Sequence, residues 1–242
     1  MATFVLVHGG GDVGWYWHLV EAELRARGHR TAAPDLPCDD DTASLDDYAA
    51  AVADAAAGRG DLVIVGHSYG AFTATLAAHR LRARLLVLVA GMIPAPGETP
   101  GDWWSNTGYR QAAEEQAKLD GGKTGHDDPL ISFYNGVPLP LAEEALRRSR
   151  GESSAVWNTP WPLDAWPDVP TRFVLCQDDR SFPAAFMRQV AQQRLNTVAD
   201  EVPGCHCVAL SHPRELSDLL ASYLDEPPRS RGRAIFDGLS PG

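Results

Sequence analysis

Lysine is almost missing from this 242-residue chain: of its 21 basic residues only Lys118 and Lys123 are lysines, set against 32 acidic residues. The resulting formal charge of −11 argues against nucleic acid or an anionic membrane as partner, because both require Lys and Arg to displace counterions from phosphate. Cysteine is scarce as well. Cys38, Cys176, Cys205 and Cys207 are too few to staple a chain of this length, and reduced thiols are expected. No apolar run nears the ~20 residues of a membrane-spanning helix, since the longest, Phe4 to Val7 and Leu85 to Ile93, have the length of strands. The start lacks the basic residues and apolar core of a signal peptide, so a cytoplasmic protein is expected. A composition of 44% hydrophobic and 22% charged residues excludes disorder, collagen and coiled coil as whole-chain answers. A chain this long builds a large core without disulfides or metal, and no cofactor or metal is expected.

Short apolar runs alternate with amphipathic or alanine-rich segments, the pattern of parallel strands covered by helices on both faces. Strands are predicted over Phe4–Val7, Thr31–Pro34, Leu62–Val65, Leu85–Ala90, Thr171–Cys176 and Asn196–Val202. Helices are predicted over Trp15–Ala26, Leu45–Ala57, Ala71–Leu81, Ala184–Arg194 and Arg214–Leu224. Ser44 with Asp47 fits a capping box, and Ser211 before Pro213 fits an N-cap followed by proline in the first turn. The alternation stops in the middle of the chain. The expected division is core over 1–94, an inserted cap over 95–169, core again over 170–225 and a tail over 226–242. The insertion holds Trp103, Trp104, Trp157, Trp161 and Trp166, five of the seven tryptophans, with helical patterning around Arg110–Lys118 and Leu141–Arg150. The tail, poor in apolar residues apart from Ala234–Phe236, is expected to be mobile or an interaction arm. The acidic run Asp39–Asp41 reads as a solvated loop in preference to a cation site.

The most informative residues are Gly66-His67-Ser68-Tyr69-Gly70-Ala71, between the run Leu62–Val65 and an alanine-rich helix. This is G-x-S-x-G in strand-turn-helix context, where the turn strains the serine backbone and small residues on either side avoid clashes. Ser68 is the candidate nucleophile, presented where unpaired helix amides favour negative charge; the alternative is a small-residue turn that merely packs helix on sheet. The loop His8-Gly9-Gly10-Gly11 follows the first strand, and the amides of Gly10 and Tyr69 are the candidate oxyanion donors. Of the eight histidines, His67 should point away from the serine hydroxyl, and His18, His29, His79 and His126 read as surface or packing residues. His206 follows the last strand, where open α/β sheets bind their ligands, and is favoured as base over His212, for which a capping role suffices. The acid should lie between serine and histidine in chain order. Asp178 and Asp179 both qualify; Asp179 is chosen and Asp178 is the fallback. Cys205 and Cys207 flank His206, but residues two apart on an extended segment point to opposite faces, which argues against zinc.

Together these segments resemble the α/β-hydrolase fold, and more narrowly the branch of plant methyl esterases and hydroxynitrile lyases with their bacterial relatives. The resemblance runs from FVLVHGGGDVGWYW at Phe4–Trp17 through GHSYGA at Gly66–Ala71 to FVLCQDDRSFP at Phe173–Pro183 and PGCHC at Pro203–Cys207. It implies a mostly parallel sheet with helices on both faces and a helical cap, places the acid on Asp179, and aligns the family's glycine-x-histidine with Gly204-Cys205-His206. It also separates two reactions. The cyanohydrin-cleaving lyases carry a threonine after the strand-end histidine and a lysine after the catalytic histidine, where this chain has Gly9 and Cys207. Ester hydrolysis is therefore expected, and the serine argues against the aspartate-nucleophile epoxide and haloalkane hydrolases. Gly9, Trp103 and Trp104 are the candidate substrate contacts, with the tryptophan-rich cap favouring an uncharged hydrophobic or aromatic small molecule. Two rivals remain: a tailoring enzyme of secondary metabolism (lactonase, cyclase or decarboxylase), and a small-molecule receptor without turnover. The oligomeric state stays open between monomer and homodimer.

Overall fold

A computed structural model describes residues 1–226. Six strands form one parallel sheet: β1 (Thr3–Val7), β2 (Arg30–Ala32), β3 (Leu62–His67), β4 (Leu85–Val89), β5 (Thr171–Cys176) and β6 (Asp200–Val202), in the spatial order β2-β1-β3-β4-β5-β6. Every residue of β1 and β4 is buried, which is why these strands read as continuous apolar runs and not as alternating ones. The core helices are α1 (His18–Ala26), α2 (Leu45–Ala56) and α3 (Gly70–Leu81); five further helices, α4 (Pro100–Asn106), α5 (Tyr109–Asp120), α6 (Pro129–Ser132), α7 (Leu139–Arg148) and α8 (Ser154–Trp157), lie between β4 and β5. After the sheet resumes come α9 (Ala184–Leu195), α10 (Val208–Ser211) and α11 (Pro213–Ser222). Among the described residues no helix is long and apolar enough to cross a membrane.

The strand order turns on β1. From it the chain moves to β2 on one side and then returns to β3 on the other, so the loops after β1 and β3 part above the sheet and leave a crevice at its carboxyl edge. Local chemistry fixes the entry to each element. Ser44 caps α2 by the anticipated reciprocal pair, its Oγ accepting from the Asp47 amide at 3.3 Å while its own amide donates to Asp47 Oδ2 at 2.8 Å. Helix α3 is buried over its whole Gly70–Ala78 stretch, and this explains its alanines: bulk on any face would meet the sheet or α2.

Several boundaries differ from the sequence pattern. The first helix begins at His18, not Trp15, because Gly14–Trp17 forms a tight 3-10 turn pinned by the Gly14 amide donating to Asp35 Oδ1 at 2.7 Å. Strand β6 begins at Asp200 because Asn196 ends α9 in the left-handed conformation, φ 48°, and turns the chain away from extension. Ser211 is not the cap of the last helix: it lies in α10, and His212 is the residue before Pro213 that opens α11. The expected tail, Ala234–Phe236 included, falls outside the described residues except for Glu226.

The tightest junction is at Gly70, where a β-carbon would lie 2.1 Å from the carbonyl oxygen of His8. Gly70→Ala must therefore separate β1 from the start of α3 and should lower stability by about 1–3 kcal/mol or more in urea denaturation. Gly60→Ala, where a β-carbon meets nothing within 4 Å, should stay within about 0.5 kcal/mol of the native chain.

Candidate active site

The turn from β3 into α3 holds Ser68 at φ 51°, a strained region for a residue with a side chain. Glycine is needed on both sides. A β-carbon at Gly66 would lie 2.5 Å from the Ala74 β-carbon, and one at Gly70 would strike His8. The backbone of the turn is tied to β4, with the Ser68 amide donating to Val89 at 3.1 Å and the Met92 amide donating to Ser68 at 3.0 Å.

Ser68, His206 and Asp179 lie on one line of hydrogen bonds. His206 Nδ1 stands 2.8 Å from Asp179 Oδ2, and His206 Nε2 stands 3.0 Å from Ser68 Oγ. With Nδ1 donating to the carboxyl, Nε2 of the neutral ring is the acceptor for the serine proton. Asp179 is held in turn: its Oδ1 accepts from the amides of Ser181 and Phe182, each at 2.7 Å. Asp178 does something else, its Oδ2 accepting from the Gly204 amide at 3.2 Å and bracing the loop that carries His206. His212 makes no contact with Ser68; its Nδ1 is buried without a hydrogen bond, facing Gly204.

Two further histidines act as neutral struts, a role their sequence positions do not reveal. His67 Nε2 donates to the carbonyl of His206 at 2.9 Å, and its ring stacks on Tyr16 with centroids 4.7 Å apart. Burial, reinforced by the nearby His206, holds its pKa well below the ordinary 6.5. His8 accepts the Leu36 amide at Nε2, 3.0 Å, so its Nδ1 donates to the Gly9 carbonyl at 2.8 Å; burial lowers its pKa too. The glycine loop is thus fixed from beneath. From the side it is clamped by the inserted segment: the Gly11 amide donates to Glu152 Oε2 at 3.1 Å, and the Gly11 carbonyl accepts from the Arg150 amide at 3.0 Å and Ser149 Oγ at 2.7 Å. Glu152 also accepts from the Tyr48 hydroxyl at 2.8 Å. Among the described residues the amides of Gly10 and Tyr69 donate to no other group, and a β-carbon built at Gly10 would stand 3.6 Å from that of Tyr69. Two unengaged donors therefore flank the serine.

Above Ser68 lies a cavity of about 190 Å³, lined by Gly9, Gly10, Gly11 and Asp12 of the glycine loop, by His206 and Cys207, and by Phe133, Tyr134, Leu146 and Ser149 of the insertion. Trp103 and Trp104 do not line it. Trp103 is fully buried, donating from Nε1 to the Ile93 carbonyl at 3.0 Å and packing on Phe182 and Phe186. Trp104 packs on Tyr109 and Phe182 and opens on a separate groove of about 650 Å³. These tryptophans reach His206 only through Phe182, whose ring centroid is 5.1 Å from the imidazole. A third, Trp157, stacks on Tyr69 at 4.8 Å. Phe133 and Tyr134 escaped the sequence reading because nothing in the insertion's pattern marks which aromatics face inward. The cysteines flanking His206 are free thiols on different neighbours, Cys205 beside Ser211 at 3.5 Å and Cys207 on the cavity wall. Among the described residues no three His, Cys, Asp or Glu side chains converge as a metal-binding group.

The sequence pattern of the alpha/beta hydrolase family matches residues 4–219. The chain belongs to that family. It is 28% identical to the pyrethroid hydrolase of Sphingobium wenxiniae over 98% of this chain and 93% of that one. It is 29% identical to esterase PIR7B of Oryza sativa subsp. japonica over 90% and 93%. The structure of polyneuridine aldehyde esterase superposes with a TM-score of 0.73 over 93% of this chain and all of that one, at 21% identity. Plant and bacterial esterases thus stand together among its relatives, the branch that the motifs resemble.

One residue of the site carries an unusual charge state. Burial pushes the Asp12 carboxyl up to about 7 from its ordinary 3.8, against smaller opposing effects from the Val13 amide and His206. Between these values the folded protein holds a proton that the unfolded chain has lost, so stability falls as pH rises through that window. Relative to the native chain, Asp12→Asn should gain up to about 4 kcal/mol between pH 4 and pH 8, read as diverging denaturation midpoints.

Proposed function

We propose that the chain is a serine hydrolase that cleaves the carboxylic ester of a small, mainly hydrophobic or aromatic molecule through an acyl-enzyme. The observation that carries this reading is the unbroken line Ser68 Oγ, His206, Asp179, at 3.0 and 2.8 Å, beside two amides that donate to no other group among the described residues. His206 Nε2 takes the Ser68 proton as Oγ attacks the ester carbonyl, and Asp179 stabilises the imidazolium. The amides of Gly10 and Tyr69 receive the oxyanion, the step in which preorganised donors contribute most. Collapse breaks the ester bond, and His206 returns its proton to the departing alcohol. Water then attacks the acyl group with His206 again as base, releasing the acid and restoring Ser68.

The esterase and pyrethroid hydrolase relatives support ester hydrolysis, and Phe133, Tyr134 and Leu146 give one part of the cavity an apolar wall. Gly9 speaks against the lyase alternative, since any side chain there would crowd His67 Nδ1 at 3.0 Å and the Ser68 β-carbon at 3.1 Å. A receptor without turnover would have no use for a carboxyl oriented by two amides behind the histidine.

A fluorophosphonate probe read by intact protein mass tests the mechanism. Native protein should gain one adduct on Ser68 and Ser68→Ala none; failure of the first, or labelling of the second, would refute it. Asp179→Asn should lower kcat toward a simple aryl ester by a factor on the order of 10⁴, with KM little changed.

A further inference from the structure

Around the crevice and the insertion three carboxyls are buried and a fourth, Glu152, is half-buried, and three of the four are fully employed. Asp179 serves His206 and two amides. Glu98 is ion-paired with Arg194 at 2.5 and 2.7 Å. Glu152 joins Tyr48 and Gly11. Asp12, 9% exposed, is different. Its Oδ1 has only a long bond from the adjacent Val13 amide, 3.3 Å, and its Oδ2 has no hydrogen-bond partner among the described residues.

Among the described residues no Lys or Arg pairs with it. The titratable groups that face it are Tyr16, Tyr134, Cys207 and His206, and none of them hydrogen-bonds its carboxyl. The Tyr16 hydroxyl is placed to accept the Ala209 amide at 3.4 Å. Asp12 nevertheless lines the same small cavity as Ser68 and His206. A carboxyl kept there without a partner is costly to the fold, and a turn-forming role would be met equally well by asparagine.

We propose that Asp12 selects the substrate: its free carboxyl oxygen receives a hydrogen bond from a hydroxyl or amine that the ester carries close to its reacting carbonyl. The inference rests on the ester-hydrolase reading and narrows it. Phe133 and Leu146 add apolar wall to a lining that also holds Asp12 and Ser149, so the substrate is a small ester with one polar donor directed at the glycine-loop end of the cavity. A site built to bind such a donor rejects the analogue that lacks it, because the buried acceptor is then left unpaired.

The test is a matched ester series. Methyl butanoate is compared with its α-hydroxy, β-hydroxy, α-amino and β-amino analogues, and propyl butanoate with the hydroxyethyl ester, so that both sides of the carbonyl are sampled. At least one donor-bearing ester should exceed its donor-free partner in kcat/KM by about tenfold or more. That ratio should fall to near one in Asp12→Leu and Asp12→Ala; the hydroxy and amino arms tell which donor is taken. Native protein that cleaves the esters without preference overturns the proposal and leaves the hydrolase reading standing, as does a preference that survives both substitutions. If no ester is cleaved and the fluorophosphonate leaves Ser68 unlabelled, the hydrolase reading fails. The role of Asp12 is then judged by calorimetry with the corresponding amides on native protein. A hydroxy or amino amide that binds about tenfold tighter than its donor-free partner upholds it, and equal affinities overturn it.

Discussion

Gly70 lies so close to the carbonyl of His8 that no other residue fits between them, and the site depends on that backbone contact. It joins the end of β1 to the start of α3 across the point where the sheet reverses its order. The glycine loop and the serine turn are thereby held face to face, with Gly9 against Ser68 and Gly10 against Tyr69. Pulled apart by the width of a methyl group, the two loops would still be a β-α turn and a glycine turn. They would no longer share a focus.

Around that focus the polar groups are arranged to stay uncharged until needed. His8 and His67 are buried and neutral, His8 using one nitrogen to fix the Gly9 carbonyl of its own loop and His67 the His206 carbonyl of the neighbouring one. A charged ring in either place would raise the field at His206 and oppose its protonation; desolvation prevents this. The anionic surface has little share in the chemistry. Among the described acidic side chains Asp179 alone hydrogen-bonds His206.

The sequence was legible where a backbone demand dictates a residue type. Gly66 and Gly70 are required by the strain at Ser68, so the serine turn announces itself. Strand ends and chain order point to His206 and narrow the acid to Asp178 or Asp179, the family resemblance favours Asp179, and the capping box at Ser44 follows from local chemistry alone. Legibility stopped where packing decides. Trp103 and Trp104 looked like substrate contacts because large apolar rings in an insertion suggest a lining, yet the ring of Phe182, far off in sequence, draws both into a separate cluster. Phe133 and Tyr134 took the places over the serine. Asp12 was passed over for a different reason: its position beside three glycines was plain, but its lack of a partner is a property of the folded surroundings. Ser211 likewise had the right neighbour in Pro213, and lost its cap role to the short α10 turn that no periodicity reveals.

The insertion is tied to the glycine loop and the serine turn through Ser149, Arg150 and Glu152 on Gly11 and through Trp157 on Tyr69, and to the loops of Asp178 and His206 through Asn135 Nδ2 donating to the Asp178 carbonyl at 2.9 Å and the Phe133 carbonyl accepting from the Cys207 amide at 3.2 Å. The wall built by Phe133, Tyr134 and Leu146 lies upstream of Ser149. The chamber is therefore gripped from two parts of the inserted segment. The stretch from 131 to 146 cannot be exchanged to reshape it without also shifting the loops that carry Asp178 and His206. A graft from a relative would have to bring both grips with it.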